Sequence, residues 1–217
     1  MKLPFSWVWY KFNNHLGSFP SKRNMKTIEI FDSIIGTGLD IGHDGNYSFK
    51  NGNVVRLNIY SGDCIDIVCD GETYPFPVET FDKIMLRCIL EHVKEPLKIL
   101  NECKRILKPN GKIVIEVPFV NPIHAAPDDY FRFTPNGLAE TVKLLNFDIQ
   151  DIFYVQDYNW AIRWIMWDKL KNTDNKRFSY FFKMLLLKYI INPLLFKLNT
   201  PSKDDFSSFG MIIKKSK

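Results

Sequence analysis

Asp40, Asn58, Asp70 and Arg87 each stand at or just beyond the end of a short apolar run. Carboxylates and amides suit the amine and hydroxyl groups of a small ligand, and strand ends hold such side chains still. If the four runs are neighbouring parallel strands, these residues share the carboxyl edge of a sheet, where open α/β folds bind ligands. After the first run comes Gly42-His43-Asp44-Gly45-Asn46, whose glycines let backbone approach a ligand without a side chain in the way. A second group, His124, Asp128, Asp129, Tyr130 and Arg132, lies in one loop stiffened by Pro118, Pro122 and Pro127. A histidine with an unperturbed pKa near ~6.5 can take a proton from an attacking hydroxyl. His124 and Asp128 are therefore the candidate catalytic residues; the plainer alternative is that they lock the loop. Glu91 and His92 read as a cap and a packed residue at a helix start.

The elements that must position these residues follow from periodicity. Residues 39–42, 54–59, 66–68, 81–86 and 112–119 are short apolar runs of strand length. Between the last two, Leu97, Leu100, Cys103 and Leu107 recur at three- and four-residue intervals, which predicts a helix over 95–107 with one buried face. Lys108-Pro109-Asn110-Gly111 should stop it. Strand, helix and strand in that order make a right-handed crossover and a parallel pair. Residues 26–35 predict an earlier helix, and Thr134-Pro135 the capped start of a later one. Residues 148–155 and 206–214 suggest two further strands completing a mixed sheet. Between them Trp160, Trp164 and Trp167 recur at helical spacing, as a carbohydrate-stacking wall or, more simply, a buried seam.

Composition narrows the classes. A chain of 217 residues that is 46% hydrophobic suits one domain with a sizeable core. Its formal charge of +5 is scattered until Lys214-Lys215, the pattern of solvated lysines rather than of a nucleic-acid surface. Cys64, Cys69, Cys88 and Cys103 lack the close pairs of a zinc or redox motif, so no metal is expected; Cys69, Cys88 and Cys103 fall within apolar patterns, and reduced core thiols in a cytoplasmic protein are the better reading. The aromatic N-terminal segment has no long apolar stretch like that of a signal peptide. Residues 177–198 are strongly apolar, but Lys183, Lys188, Asn192 and Pro193 interrupt them, so they fall short of the ~20 residues that span a bilayer. They should pack over the sheet or lie on the inner membrane surface against anionic lipid.

Taken in order, L-D-I-G, D-I-V-C-D-G-E-T-Y-P-F, F-D-K-I-M, L-E-H-V, R-I-L-K-P-N-G-K and V-P-F with I-H-x-x-P-x-D-Y-F-R-F-T make residues 39–147 resemble the class I S-adenosylmethionine-dependent methyltransferases. Within them the chain looks most similar to a bacterial branch associated with polysaccharide and glycoconjugate assembly. The resemblance implies an α/β, Rossmann-like, mostly parallel seven-stranded sheet with helices on both faces and a helical C-terminal insertion. It implies a single domain: an N-terminal segment at 1–38, a cofactor-binding core at 39–155, a helical insertion or lid at 156–200, and a final strand and basic tail at 201–217. S-adenosylmethionine would be held by Asp40, Gly42, Gly45, Asn58, Asp70, Gly71, Glu72 and Arg87, and a sugar or glycan hydroxyl by Asp129, Tyr130 and Arg132. Three positions depart from the family pattern: Asp44 and Asn46 replace glycines, and Asn58 replaces an acid that commonly grips the ribose. Restoring that acid should tighten binding. A non-catalytic interaction module with weak cofactor binding is the alternative, and a dinucleotide oxidoreductase is disfavoured because G-x-G-x-x-G is absent after the first strand.

Overall fold

The computed structural model describes residues 25–50, 53–69, 73–124, 128–171, 186, 189, 190, 194 and 206–216. The expectations for residues 1–24, for Asp70, Gly71 and Glu72, and for most of 172–205 lie outside them. Seven strands form one sheet: β1 Gly38–Ile41, β2 Val54–Asn58, β3 Ile67–Val68, β4 Phe81–Arg87, β5 Leu107–Pro118, β6 Phe147–Gln156 and β7 Ser208–Lys215. Their spatial order is β3-β2-β1-β4-β5-β7-β6. The first five in that order pair in parallel, and β7 runs antiparallel between β5 and β6. Among the described residues the helices are α1 Lys26–Ser33, α2 Pro96–Ile106, α3 Pro135–Lys143 and α4 Tyr158–Lys171, with a 3-10 turn at Leu90–His92.

Period-two alternation divides the core between the two faces of the sheet. Ile84 and Leu86 of β4 join Ile113, Ile115 and Val117 of β5 and Phe209, Met211 and Ile213 of β7 on one face, with α2 and α3. Met85 and Val114 point the other way and pack with Ile28 and Phe31 of α1 and with Phe153 and Val155. Lys83 is wholly buried, its ammonium donating to the Phe31 carbonyl at 3.0 Å and standing 4.5 Å from that ring's centre. Thr134 caps α3 by accepting from the Gly137 amide at 3.0 Å, and Pro135 occupies the first helical turn, where its missing N–H costs nothing.

Three sequence expectations change. The buried stripe of α2 is Ile99, Leu100, Cys103 and Ile106, while Leu97 is 42% exposed. Residues 108–111 do not follow the helix as a separate stop, because β5 begins at Leu107 directly after Ile106. Pro109 has no N–H and Asn110 adopts φ +64°, so the pairing with β4 jumps from Phe81↔Leu107 to Lys83↔Lys112. Of Cys69, Cys88 and Cys103, the thiols expected in the core, only Cys103 is fully buried, while Cys69 and Cys88 are half-buried; Cys64 is exposed, and none of the four is in a disulfide. Burial pushes the Cys103 thiol far up.

Candidate functional site

The loop after β1 folds back on β2. Gly42 has φ +82°, a conformation L side chains rarely adopt, and a Cβ there would lie 2.0 Å from Ile89 Cδ1, so a side chain would be strained at the backbone and would displace the end of Ile89. The Gly42 and His43 amides donate to the Leu57 carbonyl at 2.7 and 3.1 Å. Asp40 is fully buried behind this loop. Its Oδ2 lies 2.7 Å from His43 Nδ1 and accepts from the Tyr47 hydroxyl at 2.8 Å; Oδ1 has no hydrogen-bond partner among the described residues. Burial raises its carboxyl above the usual range, against the pull of His43 and Tyr47. Burial and the neighbouring carboxyl raise the Tyr47 phenol in turn. Asn58 braces the same loop, donating through Nδ2 to the His43 carbonyl at 2.7 Å and accepting at Oδ1 from the Tyr60 amide at 3.2 Å. An acid at 58 would set a carboxylate against that carbonyl.

At the end of β4, Arg87 Nε donates to Glu116 Oε2 of β5 at 3.1 Å, and the guanidinium lies 5.3 Å from the centre of the Tyr47 ring. Both partners are nearly buried, 11% and 4% exposed. The next residue, Cys88, takes φ +54°, a left-handed conformation that costs a non-glycine residue of order 1–3 kcal/mol and concentrates at functional sites.

These strand ends open into a cavity of about 1210 Å³. Gly42, Asn58, Arg87, His124 and Tyr130 line it; Asp40 and Gly45 are not among its lining residues, and Asp40 acts from behind the loop. Trp160 and Trp164 of α4 also line it, in edge contact with ring centres 4.9 Å apart, so two of the three tryptophans form a wall rather than a sealed seam.

Opposite the β1 loop, Glu91 has no exposed surface, and neither carboxylate oxygen has a hydrogen-bond partner among the described residues. Burial pushes its carboxyl up to about 8, so it is no surface cap. His92 Nδ1 donates to the Asp128 carbonyl at 2.5 Å, and the Glu91 carbonyl receives the Tyr130 amide at 2.7 Å, tying this turn to the 128–132 loop. His124 Nδ1 donates to the Pro122 carbonyl at 3.1 Å, and its ring packs against His92 and Trp164. The carboxylate beside His124 is Asp129, not Asp128: Asp129 Oδ2 accepts the His124 amide at 2.9 Å and lies 3.5 Å from Nδ1. Asp128 instead accepts from the Tyr130 hydroxyl at 2.8 Å. Asp129 and Arg132 form a bidentate pair, and Arg132 also donates to the carbonyls of Phe131 and Pro122. That pair holds the Asp129 carboxyl down to about 2 and gives both residues a positioning job in the loop instead of free contact with an acceptor. His43, Tyr47 and the inward aim of Glu91 escaped sequence reasoning. His43, three residues beyond Asp40, was the one local signal for the first pair.

Residues 37–115 match the family model described as a methyltransferase domain. The ubiquinone/menaquinone biosynthesis C-methyltransferase UbiE of Citrobacter koseri is 34% identical over 112 residues, covering 48% of this chain and 45% of that protein. The chain thus spans less than half the length of the curated relatives it matches. Among solved structures, a SAM-dependent methyltransferase from Thermotoga maritima superposes with a TM-score of 0.62 at 12% identity, over 97% of this chain and 96% of that one. The Burkholderia thailandensis 1,6-didemethyltoxoflavin-N1-methyltransferase, solved with 1,6-didemethyltoxoflavin and S-adenosylhomocysteine, gives 0.60 at 13% identity, over 100% and 92%. Strand order and these superpositions define the class: this is the Rossmann-like class I methyltransferase fold.

Proposed function

We propose that the protein is an S-adenosylmethionine-dependent methyltransferase acting on a small molecule. The observation that carries this reading is the convergence of the side-chain-free Gly42 turn, Asn58 and Arg87 on one cavity at the carboxyl edge of β1, β2 and β4. The donor set fits the cofactor. Gly42 leaves room at the loop, Asn58 Oδ1 keeps a second lone pair for a ribose hydroxyl, and Asp40 fixes the loop through His43 and Tyr47. Asp70, Gly71 and Glu72 would form the adenine wall, and Arg87 would meet the methionine end. When bound, the cofactor supplies an already activated methyl group, so this chain's residues need chiefly to align an acceptor.

The acceptor end is the Glu91, His92 and His124 side of the cavity, with Tyr130, Trp160 and Trp164 as aromatic wall. A sugar or glycan hydroxyl is the acceptor this wall suits, since an apolar sugar face stacks on indole while its hydroxyl meets His124, which can take the proton. Asp128 would assist only by orienting Tyr130, and Asp129 and Arg132 by holding His124. We place the protein in the cytoplasm, in polysaccharide assembly. Among the described residues no helix is long and apolar enough to cross a membrane. Leu186, Tyr189, Ile190 and Leu194 are exposed, and the 177–198 segment is the part that would rest on the inner membrane surface.

Thermal-shift comparison of S-adenosylhomocysteine with NAD tests the central reading. A ligand at about 100 times its dissociation constant adds roughly 2.7 kcal/mol, a rise of several degrees for this size. Stabilisation by S-adenosylhomocysteine alone supports it. Stabilisation by NAD alone overturns it, and a response to neither favours a non-catalytic module, the reading to which the engaged Gly42 and His43 amides lend some support.

A further inference from the structure

We infer that Glu91, His92 and His124 form a binding site for one divalent transition-metal ion, of the zinc, cobalt or manganese kind, on the wall of the cavity. One ligand atom from each residue can be chosen so that all three lie within 4.8 Å of one another. His92 Nε2 stands 3.7 Å from Glu91 Oε1. Around an ion with ligand bonds of ~2.0–2.2 Å, neighbouring tetrahedral ligands sit roughly 3.4 Å apart, so the Glu91–His92 pair already stands near ligand spacing and the His124 ring would close in on it when the ion binds.

The two rings are prepared for this role. A carbonyl can only accept, so the His92 Nδ1 bond to Asp128 O at 2.5 Å and the His124 Nδ1 bond to Pro122 O at 3.1 Å put the proton on Nδ1 in both. Each Nε2 then carries a lone pair, the tautomer and orientation that outer partners impose on metal-binding histidines. The edge contact between the rings, 5.1 Å between centres, and Trp164 against His124 at 5.3 Å limit their rotation. Asp129, 3.5 Å from His124 Nδ1, adds a carboxylate behind the ring.

Glu91 is the independent sign. A carboxylate with no exposed surface and neither oxygen hydrogen-bonded among the described residues, with His92 Nε2 standing 3.7 Å from Oε1, is costly unless a cation or proton meets it. Two imidazoles and one carboxylate suit zinc-like ions and leave coordination positions open. All three residues line the cavity, so those positions face its interior, where they would take an oxygen of the bound acceptor and lower the pKa of a hydroxyl. With the ion present, His124 Nε2 is a ligand and no longer a free base. The site goes beyond the methyltransferase reading, and metal binding can be measured without a methyl donor.

The test uses the full chain, stripped with EDTA and dialysed, then titrated with Co²⁺ by visible absorbance and with Zn²⁺ by calorimetry. The expected result is one ion per chain. Loss of a direct ligand should cost at least what loss of an outer partner does, about 10–100-fold, in Glu91→Gln and in His124→Ala. Glu91→Gln keeps the buried volume, and His124 is 28% exposed, so circular dichroism should show both variants folded. Absence of stoichiometric binding, or equal affinity in wild type and both folded variants, overturns the site. S-adenosylhomocysteine binding by the same metal-free protein separates the two claims. The nucleoside without the metal sinks only the metal site, and the metal without the nucleoside sinks only the methyltransferase reading.

Discussion

Asn58 spends its amide on two backbone groups, the His43 carbonyl and the Tyr60 amide, and so joins the first loop to the end of β2. Asn58→Asp keeps the acceptor but loses the donor and faces a carbonyl with negative charge. We expect it to weaken S-adenosylhomocysteine binding by about 1–3 kcal/mol, measured by calorimetry. Tighter binding would mean that the carboxylate reaches the ribose as it commonly does in the family. The residues at the sheet edge were legible in the sequence because each follows an apolar run. Their partners were not, because a contact such as the His92 ring against the His124 ring joins positions 32 residues apart with no periodicity to announce it. Asp128 and Asp129 are adjacent, and only the fold of the loop decides which of them sits beside His124.

At the scale of elements, Glu102 anchors α2 to the segment that follows β3. Its carboxylate accepts from Arg105 at 2.8 and 2.6 Å and from the Tyr74 amide at 2.9 Å, while Arg105 also donates to the carbonyls of Tyr74 and Phe76. The Arg105 hydrogen bond holds the Glu102 carboxyl below its ordinary 4.5. A depressed pKa contributes stability that is present above about pH 4.5 and fades as pH falls below it. Glu102→Gln should therefore cost about 1–2 kcal/mol at pH 7 by urea unfolding, and the gap from wild type should shrink at pH 3. A gap that stays constant with pH would assign the loss to packing. Except for the start of β5, strand positions were legible to within a residue or two, since Ile84, Met85 and Leu86 of β4 and Ile113, Val114 and Ile115 of β5 are apolar runs. The α2 phase was misread because Leu97 and Leu107 flank the stripe that Ile99 and Ile106 occupy. The insertion of β7 between β5 and β6 is a non-local pairing that no local pattern encodes.

Across the whole molecule, Gly210 of β7 shows how closely the antiparallel edge is packed: a Cβ there would come within 2.2 Å of the Phe153 ring. Gly210→Ala should destabilise the protein by about 1–3 kcal/mol, read from the denaturant midpoint, and an unchanged midpoint would mean that Phe153 moves freely. The four thiols report on the same structure without mutation. Cys64 should react first with a thiol reagent and Cys103 last, in the order of their exposure. Cys69 and Cys88 line the cavity, so S-adenosylhomocysteine should slow their labelling while leaving Cys64 unchanged. Equal slowing at all four would indicate global stabilisation and not coverage of the cavity.

Calorimetric titration of S-adenosylhomocysteine into the wild type and Gly42→Ala tests the central claim most directly. Any side chain at 42 meets Ile89 and must adopt a φ that L-residues rarely take. The account predicts one binding site per wild-type chain and affinity at least about tenfold weaker in the variant, a difference of about 1.4 kcal/mol. No heat of binding in the wild type, or the same affinity in both proteins, would contradict it.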